Sequence, residues 1–310
     1  MKLRNRIVLY ICLIIIFLLI KQGLPMFENW INGGNENINN DIAVIDKRYN
    51  VDDLQEDEGR FIAQYVYDLN NNKELLNLNA DKKVLSASLA KLYNVNFALS
   101  VLSPEEAIRV GSEIELAPNY ASVAGINYGN YKIKEIIKAV IIPSGADAAY
   151  ALAKATIDKI DNKDYENDKI VEIYNKKINE FNKDKFPSTT ISDPAGLSFD
   201  TITSAKDIAN VIKDLLKYDF MREIFSTYEI NIYDENGNSY YVKNTNKFLD
   251  KNGTYYNPNV IGIKTGSLKD LYNIVIRYKS GDKDLLIISL NNINDEGRYS
   301  SSKALIDKFK

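Results

Sequence analysis

The spacing of apolar residues changes twice along the chain, from alternating to helical and back to alternating. The first alternating runs cover residues 61–67 and 75–78, and Asn70, Asn71 and Asn72 lie between them. Alternation with a period of two predicts strands, and the asparagine-rich turn joins these two as a hairpin. The same pattern near the C-terminus predicts five further strands, at residues 229–233, 239–243, 259–264, 271–278 and 284–291.

The middle of the chain has apolar residues at helical spacing. Helices are predicted at residues 89–102, 133–142, 144–160, 169–181 and 204–218, and a closing helix at about 298–309. Strands at both ends with helices between them predict an α+β fold. We expect one antiparallel sheet of N- and C-terminal strands, flanked by helices and interrupted by a mostly helical insertion. Such a sheet would bring distant motifs together.

The N-terminus has the pattern of an export signal. Lys2, Arg4 and Arg6 precede fourteen uncharged, apolar residues at positions 7–20. No small-x-small cleavage site follows, so residues 1–21 are predicted to remain as a signal and membrane anchor, although a full span needs about 20 residues. Because positive charge stays inside, the rest of the chain is expected on the outer face of the cell membrane, or secreted if the signal is cleaved.

Residues 22–60 are rich in Asn, Asp and Glu and have little periodicity. This composition predicts a polar linker, so the globular domain is expected to occupy residues 61–310. No pattern after the closing helix indicates a further domain or anchor. Attachment to a membrane is therefore expected through the N-terminal segment.

Composition narrows the chemistry of the domain. Of the 310 residues 45% are hydrophobic and 26% charged, and the net charge of −3 gives no reason to expect a nucleic-acid partner. The chain has no histidine, which excludes a Ser-His-Asp triad and any histidine-ligated metal site. The single cysteine, Cys12, falls in the apolar N-terminal segment, so no disulfide is expected. A serine hydrolase of this composition needs lysine or a carboxylate as its base.

Ser88 and Lys91 lie where a polar passage gives way to the predicted helix at residues 89–102. A spacing of three places both on one helix face, within reach of each other. Burial would disfavour the charged amine and make Lys91 a proton acceptor for the Ser88 hydroxyl. The alternative is a helix-capping serine followed by an ordinary lysine, because the same spacing recurs at Ser280/Lys283 and Ser300/Lys303.

Ser144 follows Pro143 at the start of another predicted helix. The sequence Ser144-x-x-Asp147 fits a capping box, which stabilises a helix start and needs no catalytic role. The functional interpretation is a hydroxyl near the Ser88 pocket that relays a proton. Both interpretations can hold together.

Lys264, Thr265 and Gly266 end the strand predicted at residues 259–264. A cation and a hydroxyl, followed by a glycine that lets a ligand approach the backbone, suit recognition of a substrate carboxylate. A similar triplet begins at Lys279, but Ser280-Gly281-Asp282 is typical of a hairpin turn. The binding role is therefore assigned to Lys264.

These motifs, in this order, resemble those of penicillin-interacting serine enzymes. From about residue 61 to 291 the chain resembles the D-alanyl-D-alanine carboxypeptidases of the low-molecular-mass penicillin-binding proteins, the S11 serine peptidases. The stretches that carry the resemblance are residues 86–92, 131–153, 193–197, 203–209, 244–246 and 262–266. The resemblance implies a β-lactamase/transpeptidase-like fold.

The resemblance also implies a mechanism. Lys91 takes the proton of Ser88, which attacks the carbonyl between the two terminal D-alanines of a peptidoglycan stem peptide. The amides of Ser88 and Ser267 would form the oxyanion hole, and Ser144 would pass a proton to the departing D-alanine. Lys264, Thr265 and Gly266 complete the expected substrate-binding set with Ser267. β-Lactam inhibitors are expected ligands, and no metal or organic cofactor is implied.

One position departs from the family pattern. The family has asparagine at the third position of the second motif, where this chain has Ala146. Losing one hydrogen bond to a charged group costs roughly 1.5–3 kcal/mol, or about ten- to a hundredfold in rate. The first alternative is therefore a weakened or inactive wall-binding or regulatory protein. The second is a class A-like β-lactamase, although Glu172-Ile173-Tyr174-Asn175 lacks the E-x-x-L-N pattern of those enzymes.

Overall fold

The computed structural model describes residues 61–310. The predicted anchor at residues 1–21, which includes Cys12, and the predicted linker at 22–60 lie outside the described residues. Between residues 61 and 310, none of the helices has both the length and the apolar character needed to cross a bilayer.

The strands of the described region include every strand predicted from the alternating pattern. They are β1 (Ala63–Asp68), β2 (Lys73–Leu78), β3 (Val84–Leu85), β4 (Ala107–Val110), β5 (Gly129–Lys132), β6 (Ile202–Thr203), β7 (Glu229–Tyr233), β8 (Ser239–Lys243), β9 (Val260–Leu268), β10 (Leu271–Ser280) and β11 (Lys283–Asn292). Strands β7 and β8 coincide with their predicted bounds. The four that were not predicted, β3 to β6, have two to four residues, too few to show a period.

A five-stranded antiparallel sheet joins the two ends of the domain. Its order is β2-β1-β11-β10-β9, so the N-terminal hairpin pairs directly with the C-terminal strands. All six residues of β1 are buried. Because successive side chains of a strand point to opposite faces, both faces of the sheet are covered there. The prediction of one sheet from both ends of the chain is confirmed, and β9 forms one of its edges.

The helices of the described region lie between and after the strands. They are α1 (Ala90–Leu99), α2 (Ile133–Ile141), α3 (Ala146–Asp161), α4 (Asn167–Asn182), α5 (Ala205–Leu215), α6 (Asp219–Ser226) and α7 (Asp295–Phe309). Six correspond to predicted helices. Helix α6 was not predicted, because its eight residues are shorter than the window in which helical periodicity is read.

Helix α1 is the central element of the domain. All ten of its residues are buried, and it packs against both α3 and α5. The short pair β3–β6 leads the chain into this helix, and the amide of Ser86 donates to the carbonyl of Thr201 at 2.9 Å. The residues just before α1 are therefore held against the 190–203 loop.

Candidate active site

Ser88 lies in a single 3₁₀ turn, Ala87–Leu89, that leads into α1. The turn is wedged between two glycines from other parts of the chain. A Cβ atom on Gly196 would lie 2.0 Å from the carbonyl oxygen of Ala87, and one on Gly266 would lie 3.3 Å from the amide of Leu89. The structure thus gives Gly266 a packing role that the sequence did not suggest, because the backbone of the Ser88 turn lies directly against this glycine.

The Lys91 amine lies beside the Ser88 hydroxyl. It donates to Ser88 Oγ at 3.0 Å and to the carbonyl of Ala195 at 2.8 Å, and Lys91 is only 1% exposed. Burial lowers its pKa from 10.5 to about 8, against the opposing charges of Asp193 and Asp147. With that pKa, about one amine in ten is neutral at pH 7. A lysine in this state can accept a proton from a serine.

Asp193 positions the carbonyl to which Lys91 donates. Its carboxylate accepts from the amides of Ala195 and Leu197, both at 2.9 Å, and from the Tyr150 hydroxyl at 2.5 Å. These bonds fix the shape of the 193–197 turn and attach it to α3, which carries Tyr150, while Lys91 itself joins the turn to α1. The sequence identified this stretch only as part of the family resemblance, and its connection to Lys91 required the structure.

The other two S-x-x-K matches are ordinary structural elements. Ser280 and Lys283 pair across the β10–β11 hairpin, with Gly281 at φ +57° in the turn. Ser300 is half-buried on α7, where its hydroxyl donates to the carbonyl of Glu296 at 3.1 Å. Neither match combines a buried lysine with an adjacent serine.

Ser144 is not the cap of α3, so the predicted capping box is wrong. The residue before the helix is Gly145, and Ser144 has a left-handed backbone with φ +62°. Asp147 instead accepts from the amides of Ala124 and Gly125, both at 2.8 Å. These two amides lie in a loop about 22 residues upstream, so the Asp147 carboxylate has hydrogen-bond donors outside the start of α3 and does not cap the helix.

The backbone at Ser144 is strained. A left-handed conformation costs a residue other than glycine roughly 1–3 kcal/mol, and such strain is concentrated at functional sites. The Ser144 side chain is 5% exposed, and within residues 61–310 no hydrogen bond joins it to Ser88 or Lys91. The nearby carbonyl of Ile142 accepts from the amide of Thr245 at 3.3 Å, which links this loop to the β9 side of the site.

Ala146 begins α3 and is fully buried. Its amide donates to the carbonyl of Ser122 at 2.7 Å. Its methyl group offers no acceptor to Lys91, whose two acceptors are the Ser88 hydroxyl and the Ala195 carbonyl. The position where the family has asparagine is therefore apolar and closed.

Lys264 and Thr265 lie on β9, opposite the Ser88 turn. The Lys264 amine is 1% exposed and donates to the carbonyl of Thr265 at 2.9 Å. Burial lowers its pKa well below the usual value, and the positive charges of Lys91 and Arg298 add to this effect. The hydroxyls of Thr265 and Thr245 lie 2.6 Å apart. A buried cation with cationic neighbours favours an anionic ligand.

Arg298 is a residue of the site that the sequence analysis missed. From α7 its guanidinium donates to Ser267 Oγ at 2.9 Å and to the carbonyl of Gly266 at 3.3 Å, and it also pairs with Asp295. Ser267 itself is exposed, so this arginine lies directly behind a surface that a ligand can reach. Only tertiary contact reveals it, because 31 residues separate the two partners.

The site therefore combines two chemical functions. Ser88 and Lys91 can act as a nucleophile and a partly neutral base, and Lys264, Thr265 and Arg298 place positive charge and a hydroxyl at β9. Such an arrangement can bind an anion and attack a carbonyl next to it.

Comparison with known proteins supports a single family. The sequence profile of the D-alanyl-D-alanine carboxypeptidases, peptidase S11, matches residues 55–294. The D-alanyl-D-alanine carboxypeptidase DacF of Bacillus subtilis (strain 168) is 26% identical over 242 residues, which is 76% of this chain. The chain spans 58% of the length of that relative.

Solved structures share the fold. The DD-transpeptidase of Streptomyces K15 has a TM-score of 0.68 at 20% identity, and the match covers 79% of this chain and 95% of that one. Penicillin-binding protein D2 of Listeria monocytogenes, in its ampicillin-bound form, has a TM-score of 0.61 at 22% identity with the same coverage. The fold and the family predicted from the motifs are confirmed, and the chain belongs to the peptidase S11 family of D-alanyl-D-alanine carboxypeptidases.

Proposed function

We propose that this protein is a serine-type D-alanyl-D-alanine carboxypeptidase that acts on peptidoglycan stem peptides through an acyl-enzyme on Ser88. The observation that carries the proposal is the buried Lys91 amine, 3.0 Å from Ser88 Oγ and with its pKa lowered to about 8. A chain without histidine needs such a base for serine chemistry.

In the proposed reaction, neutral Lys91 accepts the Ser88 proton as the oxygen attacks the carbonyl carbon between the two D-alanines. The amides of Ser88 and Ser267 stabilise the oxyanion that forms. The carbon–nitrogen bond then breaks as Ser144 gives its hydroxyl proton to the departing amine and takes up the proton held by Lys91, which leaves Lys91 neutral again. Water attacks the ester on Ser88 and releases the shortened peptide.

The terminal carboxylate of the substrate is proposed to bind at Lys264, Thr265 and Arg298. An anion there would favour the charged form of Lys264, whose pKa is lowered in the free protein. β-Lactams also carry a carboxylate near their reactive carbonyl, so we expect them to acylate Ser88. The Listeria protein in its ampicillin- and cefotaxime-bound forms supports this expectation at the level of the fold.

A second candidate is a penicillin-binding-like protein with weakened or lost turnover, which binds the cell wall or regulates other enzymes. Ala146 favours it, because this buried methyl group replaces the motif asparagine. The β-lactamase alternative has no such support, since Glu172 is exposed on α4 and Ala195, not a carboxylate side chain, faces Lys91.

We also propose that residues 1–21 anchor the protein in the cell membrane with the catalytic domain on the outer face. The basic residues followed by an apolar run support this placement. Cleavage of the segment would release the domain as a secreted protein. Fractionation of cells, with protease added from outside, distinguishes an anchored external domain from a secreted or internal one.

The enzymatic proposal is tested with the full chain purified in detergent. We expect labelling by a fluorescent penicillin and release of D-alanine from a D-Ala-D-Ala peptide, and we expect Ser88→Ala to lose both. Ser300→Ala is the matched control, because Ser300 heads another S-x-x-K match outside the site. Labelling of Ser88→Ala at the wild-type level would refute the mechanism.

Ala146→Asn separates the two candidates. If labelling occurs without D-alanine release, and Ala146→Asn restores release, the second candidate is supported. If wild type releases D-alanine and the substitution gives no gain, the enzyme functions without the asparagine.

A further inference from the structure

A cavity of about 390 Å³ is lined by residues that come shortly before Ser88 and shortly after Ser267 in the chain. One wall is the segment that leads into the Ser88 turn and includes Lys83 and Leu85. Another part of the wall is the turn that follows β9 and includes Lys269 and Asp270. Phe199, which is 58% exposed, also lines the cavity. We call this space the β9–β10 cavity.

The direction of a bound substrate points toward this cavity. In the proposed function the terminal carboxylate binds at Thr265 and the scissile carbonyl at the amide of Ser267. Both lie on β9, so the substrate runs along the strand from Thr265 past Ser267. Strand β9 ends at Leu268, and Lys269, the first residue of the turn that follows, is two residues beyond Ser267, about 7 Å along the chain. The residue that precedes the D-alanyl pair would therefore reach the β9–β10 cavity.

The edge position of β9 allows this path. Among the described strands β9 pairs only with β10, so its other edge has no strand partner that would obstruct an added peptide. A peptide added to a sheet edge gains affinity from backbone hydrogen bonds and specificity from pockets for its side chains. The β9–β10 cavity is such a pocket, and its volume lies in the range of about 300–1,000 Å³ that is usual for ligand sites.

The lining of the cavity selects the chemistry of that side chain. It contains two lysines and one aspartate, which gives it a net charge of +1, and both lysines are exposed to solvent. Phe199, Leu85 and Phe61 supply apolar surface beside these charges. A side chain with a hydrocarbon stem and a terminal carboxylate would contact both kinds of surface.

We propose that the β9–β10 cavity binds the side chain of the residue immediately before the D-alanyl pair, and that Lys83 and Lys269 favour a carboxylate on that side chain. This inference rests on the proposed function, because it takes the substrate direction from it. It adds a specificity site outside the motifs that define the reaction.

Two peptides that differ in one group test the proposal. Acetyl-L-Glu-D-Ala-D-Ala and acetyl-L-Gln-D-Ala-D-Ala have the same shape and differ in the charge. For the full chain in detergent we expect kcat/KM for D-alanine release to be roughly fivefold higher with the Glu peptide, the upper range for a solvent-exposed ion pair. The double variant Lys83→Gln/Lys269→Gln should reduce this ratio to about one.

Lys279→Gln is the matched control, because Lys279 is an exposed lysine at the opposite end of β10. It should keep the wild-type ratio. Equal rates for the two peptides in wild type, or an unchanged ratio in the double variant, would overturn the proposal.

A binding measurement separates this inference from the proposed function. The affinity of Ser88→Ala for each peptide, measured by calorimetry, reports the charge preference without turnover. Absence of both D-alanine release and penicillin labelling in wild type would reject the proposed function alone. A Glu and a Gln peptide that bind Ser88→Ala equally well would reject the role of the β9–β10 cavity.

Discussion

Replacing Asp193 with asparagine tests how Lys91, the proposed base, is held in the site. Burial lowers the pKa of Lys91 to about 8, and the charge of Asp193 opposes that shift. The same carboxylate accepts three hydrogen bonds that hold the Ala195 carbonyl against the Lys91 amine. Asp193→Asn keeps the size of the side chain and removes its negative charge.

The magnitude follows from the three bonds. A hydrogen bond to a charged group contributes about 1.5–3 kcal/mol and a neutral one about 1 kcal/mol. Each exchange of a charged bond for a neutral one should cost about 0.5–2 kcal/mol, so the three together should lower the free energy of unfolding by roughly 1.5–6 kcal/mol. Urea denaturation at pH 7 measures this loss. The pKa of Lys91 should also fall further, because the folded protein loses a charge that stabilises the ammonium form.

The assay is the pH dependence of kcat/KM for D-alanine release, which reports ionisation of the free enzyme. If neutral Lys91 is the base, the wild-type rate rises with pH through about 8. In Asp193→Asn the rise should occur at lower pH. Asp200→Asn, which changes an exposed carboxylate of the same loop, should leave both the midpoint and the stability unchanged. A midpoint in Asp193→Asn that stays in place or moves to higher pH would refute this account.

Three further substitutions have defined outcomes. Lys91→Met should abolish D-alanine release yet raise the free energy of unfolding at pH 7 by about 2 kcal/mol. The lowering of the Lys91 pKa to about 8 corresponds to about 3 kcal/mol of destabilisation in wild type, and the Ala195 carbonyl left unpaired in the variant costs about 1 kcal/mol. That gain should shrink as pH rises from 8 to 10.5, because the lysine of the unfolded wild-type chain then loses its proton as well and folding no longer has to remove it. A Lys91→Met protein that is less stable than wild type at pH 7 would contradict this account. Arg298→Gln should raise KM for a D-Ala-D-Ala peptide about ten- to a hundredfold with a smaller change in kcat, and a loss confined to kcat would argue against carboxylate binding. Gly196→Ala should destabilise the fold by more than about 2 kcal/mol, because its Cβ would lie 2.0 Å from the Ala87 carbonyl oxygen. Gly237→Ala, also at positive φ but with open space around it, should cost only about 1 kcal/mol. Equal melting temperatures for the two variants would contradict the packing argument.

Local patterns in the sequence predicted most of the elements. The alternating run at β8 and the helical run at α1 are long enough to define a period, and their bounds in the structure agree with the prediction to within a few residues. Helix α6 was missed because its eight residues make little more than two turns, too few to show a period of 3.6, and strand β3 was missed because two residues cannot show an alternation. The short strand matters to the site, since its pairing with β6 fixes the chain just before Ser88.

Packing between distant segments determined the details of the site. The serine–lysine pair could be read from its spacing, because three residues on a helix always bring two side chains to one face. Ser144 could not be read in this way, since its expected partner Asp147 binds the Ala124 and Gly125 amides of another loop. The interpretation of Gly266 changed for the same reason, because the Ser88 turn lies against it.

The family, the exclusion of a histidine base and the candidate pair Ser88 and Lys91 can all be read from the linear sequence. The groups that surround this pair, including Asp193 behind Ala195 and Arg298 behind Ser267, become visible only in the folded domain. Composition and periodicity depend on neighbours along the chain. Desolvation of Lys91 and the positive charge around β9 depend instead on segments that meet only in the folded domain.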